Sequence, residues 1–225
     1  TLAYDATAGT WAQWSSLTAQ TPKSCTITQS GGIATAACTA HGYEDGAAVT
    51  IGGATPSDYN GLKQVRVTSA DAFTFSIASG TASPATGTIT ATGYDEGYFR
   101  YTHYVAAAGR DLVLHETTGA LVEITPAAYT DDGAPIALKL RTGKLDSGNE
   151  NYKSIGQIRV IGEKQGGEAM LRWSDDDYAT NSACRPVDLS SVQARIRRCG
   201  AYRRRSFEVL HIAALPVQLE ALELD

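Results

Sequence analysis

The chain has 225 residues, 43% hydrophobic and 19% charged, with 24 acids against 19 Lys and Arg for a net charge of -5. That apolar share is enough for a folded core and excludes a disordered chain; the acidic total excludes general electrostatic capture of nucleic acid. No run approaches the roughly 18 consecutive apolar residues of a membrane-spanning helix, and no signal-peptide pattern is present. The chain opens Thr1-Leu2-Ala3-Tyr4 and its one methionine is Met170. It therefore reads as a processed product, an excised piece or part of something longer.

Taken in chain order, nearly every segment has the period of a strand. Leu2-Ala-Tyr4-Asp5 leads through an Asp-x-x-x-Gly turn ending at Gly9 to a second strand with Trp11, the layout of a propeller blade. Trp11 and Trp14 read as core between blades. From Lys23-Ser24 to Thr92-Gly93 the texture changes to Thr, Ala, Ser and Gly with little charge, and six strands are expected near 25–29, 33–40, 48–52, 62–68, 72–78 and 86–92. Six strands in about seventy residues make a small β-sandwich or barrel able to fold by itself. The stretch 24–93 is accordingly read as an inserted Ig-like β domain, with 1–23 and 94–142 forming a propeller-like β segment around it.

Cys25 and Cys38 flank a Gly31-Gly32 turn. A two-residue hairpin there makes paired residue numbers sum to 63, so Cys25 faces Cys38 at a non-hydrogen-bonded site, where side chains lie closer. The pair is either a disulfide or two buried free thiols. In the same stretch His41 reads as a structural histidine in a turn. After Tyr94–Tyr101, the run Leu112-Val-Leu114 with its Thr118-Gly119 turn and Leu121-Val-Glu-Ile124 repeats the blade layout. Residues 143–225 form a C-terminal β domain; its last segment, Val217–Leu224, fits a strand better than a helix. The chain is expected to be all-β, with incomplete propeller-like blades, a β-sandwich-like C-terminal part and the inserted small domain.

Candidate chemistry is sparse. Asp131-Asp132-Gly133 and Asp175-Asp176-Asp177 carry hard oxygen ligands but lack the rest of a calcium loop, and no metal or cofactor is expected. Ser174, Asp176 and Thr180 instead match the Asp-box hairpin of propellers, in which the Asp accepts bonds from turn amides and the hydroxyls close the loop; Tyr178 and Asn181 stand where its Gly and Trp would be. No nucleophile elbow, P-loop, dinucleotide fingerprint or zinc motif is present, and no carboxylate pair is singled out for glycoside cleavage. The chain is not expected to be an enzyme. Charge, however, is uneven. Residues 185–205 hold seven arginines against one acid, Asp188. This Arg-rich hairpin is either a solvated face paired to neighbouring acids or an interface or DNA-facing surface, with Arg195, Arg197, Arg198, Arg203, Arg204 and Arg205 the candidate contacts.

The order Tyr129-Thr-Asp131-Asp132-Gly133, Ile155-Gly-Gln-Ile158-Arg-Val160, Met170-Leu171-Arg172-Trp173-Ser174-Asp175-Asp176, Tyr202–Val209 and Leu215-Pro216-Val217 resembles the packaged-DNA stabilisation proteins. These are the tail hub or nozzle components of short-tailed phages. The inserted stretch, with His41-Gly42, Asn60-Gly61 and Phe73-Thr-Phe75, looks like a small β module recurring in phage tail proteins. The resemblance implies a non-enzymatic virion protein, assembled in the host cytoplasm without membrane insertion. It would form a homo-oligomeric ring, usually of six copies, below the portal and adaptor, beside other tail proteins such as a tailspike or fibre. It would help retain packaged DNA, which passes its lumen transiently. The alternative is a carbohydrate-binding, less readily glycan-cleaving, propeller-type tail or surface protein. Without the insert roughly 155 residues remain, fewer than four blades of about 40–45. The chain is thus expected to be the C-terminal part of a longer hub protein or a partial propeller completed by neighbours.

Overall fold

The computed structural model describes the backbone of residues 2–5 and 10–225 and the side chains from Ala12 onward. The fold is all-β: among the described residues there are several antiparallel sheets, none closed into a barrel, and one short 3-10 turn at Ser57–Tyr59. No helix among the described residues is long and apolar enough to cross a membrane. Leu2–Asp5 and Thr10–Gln13 pair as an antiparallel hairpin. The turn expected between Asp5 and Gly9, and the Trp11 side chain, lie outside the described residues.

The module expected at 24–93 is two sheets facing each other. One runs in the order Thr26–Ser30, Ile33–Ala37, Ala72–Ser76, Arg66–Ser69, and the other in the order Leu17–Ala19, Thr90–Glu96, Ala48–Gly52, Gly61–Gln64. Alternation of buried and exposed residues along Ile33–Ala37 and Ala72–Ser76 puts one face of each strand inward. Ile27, Val49, Ile51, Tyr59, Val65 and Phe73 form the core between the sheets. Two features depart from the 24–93 boundaries. Leu17–Ala19 pairs with Tyr94, Asp95 and Glu96, and the strand Thr90–Glu96 runs on through residue 93 without a break. The leading segment therefore completes the module's second sheet.

The Gly31-Gly32 hairpin has the register that sums to 63, from Ser30↔Ile33 to Thr26↔Ala37, because a two-residue turn leaves no freedom to slip. The disulfide does not follow from it. Cys25 and Cys38 are free thiols: the Cys25 amide donates to Ile89 O at 3.1 Å and the Cys38 amide to Asp71 O at 2.8 Å. Burial, and then the neighbouring Cys38, push the Cys25 thiol up to about 11, so little thiolate is available for oxidation near neutral pH. His41 is equally internal. Its Nδ1 accepts the Tyr43 amide at 3.0 Å, which leaves Nε2–H to donate to Ser69 O at 3.0 Å, and the ring stacks on Tyr43.

The C-terminal domain is also two-layered. A four-stranded sheet, Leu138–Arg141, Ser206–His211, Glu168–Ser174, Arg185–Asp188, faces a three-stranded one, Arg195–Arg197, Gln157–Gly162, Leu219–Leu224. Leu171, Val187, Phe207 and Val209 pack against Ile158 and Ile196 between them. Glu168–Ser174 and Ser206–His211 are buried almost throughout, as expected of strands covered on both faces. The second cover is the first module. Gly46 lies so close that a Cβ there would sit 2.7 Å from Leu210 Cδ1 and 2.9 Å from Cys184 Sγ, and its φ of +86° is one glycine adopts freely.

His211 lies in this domain with Nε2 buried and no hydrogen-bond partner, and burial lowers its pKa from the ordinary 6.5. Below pH 6.5 the unfolded chain takes up a proton that the native imidazole resists, so stability falls as pH drops from 7.5 to 5.5. Urea midpoints at those two pH values should separate for the wild type and converge for His211→Leu. Equal slopes in both proteins would show that His211 is not the source.

Candidate functional site

The sequence candidates converge on one end of the C-terminal domain, where three successive aspartates each take a different partner. Asp176 closes a turn. Its Oδ1 accepts from the Ser174 hydroxyl at 2.8 Å and the Thr180 amide at 2.9 Å, and its Oδ2 from the Thr180 hydroxyl. The Tyr178 amide donates to Ser174 Oγ at 2.9 Å. These bonds, the Thr180 pair foremost, hold the Asp176 carboxyl down to about 2. Asp177 receives Arg204 and Lys144 at 2.7 and 2.9 Å. Asp175 accepts a two-pronged bond from Arg205, Nε to Oδ1 at 2.6 Å and Nη2 to Oδ2 at 2.7 Å. The whole run is engaged in holding the chain together, and among the described residues no group of three or more His, Cys, Asp or Glu could hold a metal ion.

The six candidate arginines divide sharply. Arg205 is 2% exposed, stacked near the rings of Trp173 and Tyr202 at 4.9 and 4.6 Å, with Nη1 donating to Cys199 O. It is a core residue, and the expectation that it faces a partner is corrected: Asp175, 30 positions earlier, and two aromatic rings replace its water. Arg204 is held by Asp177, and half-buried Arg195 reaches Gln157 Oε1 at 3.4 Å. Arg203 lies over Tyr152 at 4.7 Å. Arg197, the last residue of its strand, and Arg198 just after it are exposed, their carbonyls fixed by Arg185, which donates to Arg197 O at 2.6 Å and Arg198 O at 3.3 Å. Arg197, Arg198 and Arg203 are therefore the members of the set presented to solvent.

Sequence reasoning missed the buried ion cluster of the C-terminal sheet and the hydrogen bonds that join it to the module. Glu208, with its side chain 3% exposed, takes Arg172 Nε on one oxygen and Arg141 Nη2 at 2.7 Å on the other. Burial would raise its pKa, but the bonds from Arg172 and Arg141 overcome that and leave it below the ordinary carboxylate value. Across the junction Asp45 receives the Cys184 amide on Oδ2 and the Val67 amide on Oδ1, while its carbonyl accepts from Arg172. Strand alternation does place Glu208 opposite Phe207 and Val209, and Arg172 opposite Leu171 and Trp173. What it lacks is the Arg172↔Glu208 register that makes them neighbours.

The third region is the meander that follows the module: Tyr101–Ala107, Arg110–His115 and Leu121–Ile124. Registers Val105↔Leu112 and Leu114↔Leu121 place four aliphatic side chains on one face, with Val105 47% and Leu121 65% exposed. The opposite face, through Tyr104↔Val113 and Asp111↔Ile124, floors a groove of about 410 Å³. Trp14, Phe99 and Tyr101 form its wall in successive edge-on contacts at 5.2 and 5.3 Å. Trp14 was expected in a core between blades; its side chain instead borders this groove at 44% exposure. His103 sits at a bulge in Tyr101–Ala107 with φ of +51°. The Tyr104 hydroxyl donates to Asp111 Oδ1 at 2.5 Å, and Tyr101 donates to Asp131.

No protein-family model matches the chain, and a search of curated proteins returns no match.

Proposed function

We propose that this chain is a structural subunit of a multi-copy assembly, of the phage tail-hub kind its motif order resembles, in which copies meet through the aliphatic face of the meander. The observation that supports this reading is the two-sided apolar character of a three-stranded sheet. Leu112-Val113-Leu114 alternates across the sheet yet is apolar at every position, the pattern of a strand covered on both faces. Val105, Leu112, Leu114 and Leu121 form a patch bordered by the Arg110–Glu123 pair. An apolar centre with a charged rim is the composition of a subunit contact. A second copy is the partner that a closed ring supplies to every subunit alike.

The rest of the molecule suits such a role. Two modules, each with its own core, are fastened by hydrogen bonds from Arg172 and Cys184 to Asp45, and the turn at Asp176 and the stacked Arg205 stiffen the outer end. In this reading Arg197, Arg198 and Arg203 are left to meet the portal–adaptor side or DNA in the lumen, where scattered phosphate contacts weaken with salt and permit sliding. The virion is the setting that goes with it.

Sedimentation velocity tests the contact. The wild type should sediment as a multimer at micromolar concentration. Val105→Asp and Leu121→Asp should shift it to monomer while changing folding stability by no more than about 0.5 kcal/mol, since both side chains are exposed. A wild type that stays monomeric at every concentration, alone and with a portal–adaptor ring, defeats the reading.

A further inference from the structure

We propose that the aromatic groove is a binding site for a neutral saccharide of about one to two sugar rings, a volume within the range of small-ligand sites. A pyranose has two unlike surfaces: faces of C–H groups and an edge of hydroxyls. The groove offers both kinds of partner. Phe99 and Tyr101 stand edge-on to one another in its wall with Val113 in its floor, giving an apolar aromatic lining against which C–H faces pack. Along the rim lie the Tyr104 hydroxyl, the Asp111 carboxylate and the His103 imidazole. The 2.5 Å bond from Tyr104 to Asp111 fixes the ring and sets phenol and carboxylate oxygens side by side, an acceptor edge arranged before any ligand arrives.

The backbone carries the second argument. His103 is the extra residue of a bulge and has φ of +51°, a conformation that a side-chain-bearing residue rarely adopts. Bulges re-aim a side chain, and strain of this type is retained where its product is used. Here it puts an imidazole on the groove. Charge then selects the class of sugar. Asp111 on the rim and Asp131, bonded to Tyr101 of the wall, oppose an anionic ligand, while hydroxyls donate to carboxylates well. A neutral saccharide fits; a sialylated or uronic one does not. The site lies on the face opposite Val105, Leu112, Leu114 and Leu121, so it stands or falls apart from the assembly reading.

Saturation-transfer NMR with maltose, cellobiose, lactose and N,N′-diacetylchitobiose, and with 3′-sialyllactose as the acidic comparison, tests the proposal. At least one neutral disaccharide should receive saturation at its ring C–H protons, and the acidic sugar should receive none. Tyr104→Ala and Asp111→Asn should each weaken binding about tenfold with unchanged thermal melts, and Leu121→Asp on the other face should leave it unchanged. His103→Gly keeps the bulge conformation without the imidazole and should weaken binding even if Tyr104→Ala disturbs the sheet. Saturation of none of the four neutral sugars, equal binding of 3′-sialyllactose, or binding indifferent to both Tyr104→Ala and His103→Gly would overturn the site.

Discussion

Glu208→Ala should destabilise the protein by about 3–5 kcal/mol, because it leaves the buried Arg172 without its countercharge. The Glu208 side chain is 3% exposed and takes both Arg172 and Arg141, while the Arg172 side chain is 10% exposed. A guanidinium stripped of its carboxylate there cannot regain its hydration without opening the contact with Asp45 and Gly46. The double variant Arg172→Met/Glu208→Met removes both charges and should cost much less than the sum of Arg172→Met and Glu208→Met made singly. Urea denaturation of the four proteins measures this directly. Additive losses would mean that the pair is not coupled. The pH dependence has a definite sign: the Glu208 pKa is lowered by folding, so its contribution is present above the ordinary carboxylate value and is lost as pH falls through the native one. That acid loss should disappear in the double variant.

Arg205→Ala should cost about 2–4 kcal/mol, from the space left between Trp173 and Tyr202 and the Cys199 carbonyl left without its donor, since the Asp175 left behind is 43% exposed and regains water, whereas Arg203→Ala should stay within about 0.5 kcal/mol. Both belong to the Tyr202-Arg203-Arg204-Arg205 stretch, and only burial separates them. Arg205→Lys should recover little, since one ammonium replaces a planar fork that bonds both Asp175 oxygens and Cys199 O and lies near two aromatic rings. Thermal unfolding of the three variants decides the matter; equal effects at 203 and 205 would contradict the division. A triple neutralisation of 203–205 consequently reports on folding. Arg197→Ala and Arg198→Ala test for a partner instead.

What could be read from the sequence was local. The Gly31-Gly32 turn set a register that the strands on either side had to keep, and the strand at Leu219–Leu224 follows from its alternation. Ser174, Asp176 and Thr180 meet in one turn because they lie within seven residues of each other, and the side chains alone can close it. Illegible features are those that depend on distant chain. Arg205 sits in a basic run and looks like surface until Asp175, Trp173 and Tyr202 are brought around it. Glu208 and Arg172 are 36 positions apart and become neighbours only through register. The module's edge is blurred for the same reason: Leu17–Ala19 pairs with residues 75 or more positions later. The groove has a partial signal in the run Tyr98-Phe99-Arg100-Tyr101, whose aromatic texture marks the region but not the bulge that turns His103 onto it.

The strand Thr90–Glu96 has a mechanical consequence. It belongs to the module's sheet at its start and pairs with the leading segment at its end, with no loop between. Swivelling needs loop or terminal residues to absorb a change in backbone angles, and the exit, residues 97–100, is tied back to the leading segment: the Gly97 amide donates to Ser16 O at 2.9 Å and the Arg100 amide to Ser16 Oγ at 3.3 Å. On the module's far side, Asp45 and Gly46 are seated against Cys184 and Leu210. The module is therefore a strut braced at two points: a push on its outer turns is transmitted as displacement of the C-terminal sheet, with little taken up in bending.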